Sequence, residues 1–288
     1  MSPAPRSAEV VALLARIDEI RRITNSEWLS TLDDRKRAEL EFHNRDRDRR
    51  LVAEAQQSSD TYERFYGNKK YYQSTQRSKQ YVQDWIARES KGRIFLDYAC
   101  GNGMMALLAA QSGAALACGL DISDVSVANA TEEAQRLGLD DTVFFQADAE
   151  NTKLPDASVD AILCSGMLHH LDLAQAFPEL RRILKKGGKI LCGEALDYNP
   201  LIKLYRHLTP AMRTEWEKAH ILSLKDVDYA RQFFQVNDIR YWHIIGYLGG
   251  KFPALLPFLD RLDRGLEAIP YLNRMAWIFT FELEKTSD

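Results

Sequence analysis

Three aspartates and a serine fall where apolar runs stop. Asp97 closes Ile94-Phe95-Leu96, Asp121 closes Leu116–Leu120, Asp148 follows Thr142–Gln146, and Ser165 follows Val159–Cys164. Between the first two lie a tight glycine turn, Gly101-Asn102-Gly103, and a helical stretch, Met104–Gln111, with Gly113 where a helix C-terminal glycine belongs. Residue types in this order suit a nucleoside-bearing ligand. The glycines let it approach the backbone, and the carboxylate on the next strand, Asp121, accepts hydrogen bonds from ribose hydroxyls.

Gly101-x-Gly103-x-x-Ala106 also fits a dinucleotide fingerprint, which would make the chain an NAD(P)-dependent oxidoreductase. Asp97 argues against that reading. A dinucleotide site delivers a pyrophosphate to the helix N-terminus, and a carboxylate four residues ahead of the first glycine repels that anion. The same carboxylate suits a cation. S-adenosyl-L-methionine carries a sulfonium and an ammonium and no phosphate.

On these residues the chain resembles the class I S-adenosylmethionine-dependent methyltransferases, in particular the small-molecule branch that includes quinone-biosynthesis methyltransferases. The family pattern Leu-Asp-x-Gly-Cys-Gly-x-Gly stands here as Leu96-Asp97-Tyr98-Ala99-Cys100-Gly101-Asn102-Gly103, with Ala99 in place of the first glycine. The match covers roughly residues 93 to 194 with specific motifs, and outside that span only architecture carries over. The resemblance implies a role for each site residue. Asp97 binds or orients the methionine part, directly or through water. The turn Ala99, Gly101, Asn102 and Gly103 lines it with backbone. Asp121 and Ile122 meet the ribose, Asp148 and the Ala149 amide read the adenine amino edge, and Ser165 and Gly166 lie near the transferring methyl. The structural alternative at each position is a turn glycine or a helix-capping aspartate.

The acceptor side is less defined. Cys164-Ser165-Gly166-Met167-Leu168-His169-His170 contains no Pro-Pro run of the kind found in methyltransferases of nucleic-acid bases or glutamine, so a small-molecule acceptor is expected, methylated at oxygen or nitrogen, with carbon and sulfur open. His169 and His170 are candidate general bases near neutral pH, although the resembling family carries His-His here without a catalytic role as well. Tyr66 or Tyr71, in the aromatic stretch Tyr62–Tyr72, would attract a sulfonium through its ring, or would pack the N-terminal segment on the core. Tyr198 and Asn199 open a long aromatic-rich insertion and are candidate substrate contacts, in keeping with an apolar or ring-bearing acceptor. A cofactor-binding scaffold without turnover is a third reading.

Composition narrows the partners. The 288 residues are 45% hydrophobic and 27% charged with net charge −3, which gives no electrostatic footprint for nucleic acid. No apolar run reaches membrane-spanning length, so no stable membrane insertion is expected. The N-terminal MSPAPRSAEV lacks the apolar core of a signal peptide, and the four cysteines form no CxxC pair and no metal-ligand spacing. A reducing cytoplasm and no metal are expected.

Positioning these residues calls for an α/β fold. Strands at Ile94–Asp97, Leu116–Asp121, Thr142–Gln146, Val159–Cys164 and Lys189–Gly193 alternate with helices, which implies a parallel sheet covered on both faces with ligands beyond the strands' carboxyl ends. The resemblance adds a Rossmann-like, mostly parallel seven-stranded sheet in the order 3-2-1-4-5-7-6 with the last strand antiparallel. The expected divisions are an N-terminal helical cap, 1–92; a cofactor-binding core, 93–194; a lid insertion over the active site, 195–238; and C-terminal strands and helix, 239–288. The cap holds helices at 8–22, 33–57 and 73–89. The middle one interleaves acids and bases and reads as a solvated face, with His43 a surface or packing histidine. Between the strands, one helix runs from a Ser123 cap to Leu137 and is stopped by Gly138, and another reaches Lys186, started or kinked by Pro178 and ended by Gly187-Gly188. In the tail, Ile239–Ile244 and Met275–Glu284 read as the last two strands, and Pro253–Ile269 is amphipathic and expected to pack on the sheet.

Overall fold

The computed structural model describes residues 6–287. The first half of the N-terminal segment read for a leader, residues 1–5, lies outside the described residues. Six helices come first: α1 Ala8–Arg21, α2 Asn25–Thr31, α3 Asp34–Arg47, α4 Arg49–Gln56, α5 Ser59–Tyr66 and α6 Gln76–Glu89. Then strand and helix alternate as β1 Ile94–Tyr98, α7 Met104–Gln111, β2 Leu116–Asp121, α8 Asp124–Leu137, β3 Thr142–Gln146, β4 Val159–Ser165, α9 Leu173–Ile183 and β5 Leu184–Ala195. The tail runs α10 Pro200–Leu208, α11 Glu215–Ala219, α12 Leu224–Ala230, β6 Gln235–Trp242, α13 Leu256–Glu267 and β7 Ile278–Glu284.

The seven strands form one sheet in the order β3-β2-β1-β4-β5-β7-β6, with β7 antiparallel to both its neighbours. Successive side chains of a strand point to opposite faces, and both faces of this sheet are buried. Leu96 and Tyr98 join Leu120, Phe145 and Phe281 on one side, while Phe95 joins Trp85, Ile86 and Leu107 on the other. The four cysteines are free and buried in these layers or beside them. The parallel register sets Asp97 opposite Gly119 and Asp121 opposite Gln146, so the acidic strand ends rise to one edge.

Several boundaries differ from the sequence reading. The stretch 33–57 is two helices, because Asp48 stops α3 and its carboxylate accepts the Arg50 and Leu51 amides to cap α4. The helix expected to reach Lys186 ends at Ile183, and β5 begins at once and carries Gly187-Gly188 through a register shift against β4. Pro178 lies inside α9. β6 starts at Gln235 and β7 at Ile278. The tail helix buries Leu259 but leaves Leu255 and Leu262 exposed, so packing accounts for one side of it only.

Candidate active site

The first loop is built by backbone that few residues tolerate. Ala99, Gly101 and Gly103 all adopt positive φ, at 63°, 51° and 78°. For Ala99 that conformation costs on the order of 1 kcal/mol, which the flanking pairing must offset. Gly103 is fixed by packing as well, since a Cβ there would lie 2.7 Å from Phe144 Cε1 and from Ala130 Cβ. Asp121 ties the loop to the next strand: its Oδ2 accepts the Gly101 amide at 2.8 Å and its Oδ1 the Ser123 amide at 2.9 Å. Burial raises the Asp121 pKa, against the pull of those two amides.

Asp97 is more deeply placed than the sequence reading had it. It is buried behind the turn, accepts the Ala106 amide at 3.2 Å, and does not line the crevice. Burial pushes its pKa up to about 7.

Helix α3 covers the crevice. Arg35, Glu39, His43 and Arg47 recur every four residues and Lys36 stands beside Arg35, so one helical face points inward. The solvated reading of this helix is thereby overturned. Its interleaved charges find their opposites on the core: Arg35 pairs with Glu150 at 2.7 Å, and Lys36 with Asp148 at 2.7 Å and Glu150 at 2.9 Å. Burial pulls the Lys36 pKa down, but the bonds to Asp148 and Glu150 outweigh it and leave it raised. Arg47 stands over the glycine turn, where a Cβ on Gly101 would meet its Nη2 at 3.4 Å, and its buried Nε has no hydrogen-bond partner.

Two connected hollows result. An inner one of about 100 Å³ lies at the tips of β1, β2 and the loop after β3, against Asp121, Ile122, Asp148 and Ala149. An outer one of about 730 Å³ has Phe42, Phe65, Tyr72 and Trp277 among its walls. Ser165, Gly166, His43, Arg47 and His170 line both. At this junction His170 Nδ1 meets Glu39 Oε2 at 2.9 Å, and Glu39 Oε1 accepts the Thr214 hydroxyl at 2.6 Å. His169 Nδ1 meets Glu194 Oε2 at 2.7 Å, while Glu194 Oε1 accepts the Met167 and Leu168 amides. Burial, then the charges of His170, Arg47 and His169, hold His43 well below the ordinary histidine pKa. Burial raises that of Glu217, also on the outer wall, against the opposing charges of His170 and Arg213.

Not every expected residue reaches the crevice. Asn102 bonds to Asn129 at 3.3 Å and lines neither hollow. Tyr66 stacks its ring under Lys69 at 4.2 Å, while Phe65 and Tyr72, its neighbours in the aromatic stretch, form wall. Asn199 is a helix cap: its Oδ1 accepts the Leu201 and Ile202 amides and its Nδ2 donates to the Met275 carbonyl. Tyr198 accepts the Leu224 amide and lines a separate hollow near Asp226. The residues missed were Arg35, Lys36, Glu39, Arg47, Glu194 and Glu217. The four-residue spacing on α3 was the available clue, masked by its balanced charge.

A methyltransferase-domain family matches residues 96–192. The match takes in β1 to β5 and covers about a third of the chain. The 27-O-demethylrifamycin SV methyltransferase of Amycolatopsis mediterranei (strain S699) is 35% identical over 107 residues, which are 36% of this chain and 39% of that protein. The chain thus spans about two fifths of that curated relative's length. The methyltransferase fold extends further than the motifs. Geranyl diphosphate C-methyltransferase from Streptomyces coelicolor A3(2) superimposes with TM-score 0.55 at 15% identity over 72% of this chain and 79% of that one. The [4+2]-cyclase SpnF superimposes with TM-score 0.52 at 20% identity, over 72% and 82%. A cyclase on the same frame means that fold alone does not assign the chemistry.

Proposed function

We propose that the protein transfers a methyl group from S-adenosyl-L-methionine to a small-molecule acceptor, at oxygen or nitrogen. The observation that carries this reading is the Asp121 clasp on the Gly101 amide, with Asp148 on the loop after the adjacent strand. The residues around the inner hollow fit that cofactor. Asp121 and Ile122 flank a ribose-sized space, Asp148 and the Ala149 amide stand one strand away, and the cationic Arg47 has an orphaned Nε above the glycine turn. We assign Arg47 to the cofactor's carboxylate, for which a guanidinium is the fitting donor.

The cofactor, when bound, supplies a methyl group already activated by its sulfonium. The chain's own residues then position and exclude. Alignment of two reactants is worth about 7–11 kcal/mol in favourable cases. Phe42, Phe65, Tyr72 and Trp277 give the acceptor chamber apolar, ring-bearing walls that favour an acceptor of the same character and keep water out. His170 is our candidate base: Glu39 engages Nδ1 and leaves Nε2 to take the acceptor's proton. Glu194 and the buried His169 hold the loop that carries it. The rifamycin relative, named for the 27-O-demethyl compound on which it acts, favours oxygen.

The test is equilibrium binding of S-adenosylhomocysteine, followed by labelled-methyl transfer to pooled small metabolites. The proposal requires both. Binding without transfer to any acceptor would favour a scaffold, and binding of NAD(H) in place of S-adenosylhomocysteine an oxidoreductase.

A further inference from the structure

The segment from Leu248 to Arg274, around α13, presents an unusual surface. Phe252 is 55% exposed, Leu255 50%, Phe258 61%, Leu262 43%, Ile269 48% and Tyr271 75%. Leu255, Phe258, Leu262 and Ile269 recur at three-, four- and seven-residue steps, which places them in one stripe along the helix and its flanks. Such a stripe on a water-facing side costs free energy unless something covers it.

Charge is sorted in the same segment. The exposed charged residues are Lys251, Arg261, Arg264 and Arg274, all basic. None has a carboxylate within ion-pair distance among the described residues. The acids of the segment are turned inward. Asp263 accepts the Ile245 and Gly246 amides, and Glu267 pairs with Arg77 at 2.5 Å. Asp260 is half-buried. The helix therefore has an inner acidic face used in packing and an outer face of apolar and basic side chains only.

We propose that this outer face binds the surface of an anionic lipid bilayer. Aromatic and aliphatic side chains flanked by Lys and Arg form the pattern that lies in the headgroup region, where the apolar groups enter the acyl boundary and the bases meet lipid phosphates. A second copy of the chain fits less well. A two-fold contact would set the same four bases against each other with no exposed acid to answer them. The position also serves the chemistry. The segment leads directly into Trp277 and Ile278, and its Gly246–Gly250 turn packs against Tyr71, next to Tyr72. Trp277, Ile278 and Tyr72 are chamber wall, so docking here brings the acceptor chamber to the lipid boundary.

The experiment is co-sedimentation of the full chain with vesicles of phosphatidylcholine alone and of phosphatidylcholine with phosphatidylserine. The expected result is binding to the second that weakens as salt rises. Phe258→Ser with Leu262→Ser should lower the partition coefficient about tenfold or more, and Arg261→Glu with Arg264→Glu should abolish the preference for anionic lipid. These positions are exposed, so the variants should unfold at the wild-type temperature, which is measured alongside. Absence of vesicle binding by the wild-type chain overturns the proposal. So does a concentration-dependent dimer, seen by sedimentation velocity, that Phe258→Ser with Leu262→Ser dissociates.

Discussion

Glu39 Oε2 lies 2.9 Å from His170 Nδ1, across 131 positions of sequence. One residue comes from an N-terminal helix and the other from the turn that follows β4. Their contact joins the covering helix to the junction of the two hollows. If His170 accepts the substrate proton, His170→Ala should slow turnover by about 10²-fold or more, the range for loss of a general base, with S-adenosylhomocysteine affinity unchanged. Glu39→Gln should slow it less. Equal rates in wild type and His170→Ala would clear the histidine of the role.

The second expectation concerns Arg47. Its orphaned Nε above Gly101 is the feature that suits a carboxylate ligand. Arg47→Ala should weaken S-adenosylhomocysteine binding by about 1.5–3 kcal/mol, the contribution of a charged hydrogen bond, and Arg47→Lys should recover part of it. Calorimetric titration reads both.

Asp97 gives a pH expectation. Its pKa is pushed up to about 7 in the fold by burial, above the ordinary 3.8. The folded chain therefore holds this proton more tightly than the unfolded one. The stabilisation is fully present below about 3.8 and is lost as pH rises towards 7, in total about 4 kcal/mol. Asp97→Asn keeps an acceptor for the Ala106 amide and removes the titration. Urea unfolding at pH 5 and at pH 8 should show a smaller fall for the variant than for wild type. Parallel falls would show that Asp97 is not the group responsible.

The ion pairs under α3 give a fourth. Lys36 balances Asp148 and Glu150, and all three side chains are largely buried. Lys36→Met should destabilise by about 3 kcal/mol, because the largely buried Asp148 then loses its cation and Glu150 keeps only Arg35. A shift of the unfolding midpoint with unchanged slope checks it; no shift would mean that Arg35 alone suffices for Glu150.

What could be read in advance follows from the range of the interactions. The core from β1 to β4 was legible because its signals are local: apolar runs ending in acids, a glycine turn at fixed spacing, a Ser123 cap and a Gly138 stop. The α3 face was not, because Arg35, Glu39 and His43 have partners more than a hundred residues away, or a neighbouring ring, that no local pattern encodes. Asn199 misled for a related reason. A polar residue ahead of Pro200 looks like a ligand contact, but its side chain is spent on capping α10. The start of β5 at Leu184 was hidden by Gly187-Gly188, which resemble a helix stop and instead lie within a bulged strand.

The central claim is that the acids at the strand tips hold a cationic, phosphate-free nucleoside donor, with Asp121 as the principal contact. Isothermal titration of the full chain with S-adenosylhomocysteine, in wild type and Asp121→Ala, tests it most directly. The account predicts one site per chain in wild type and a loss of about 1.5–3 kcal/mol in the variant. Equal affinity in the two proteins, or binding of NAD(H) with none of S-adenosylhomocysteine, would contradict it.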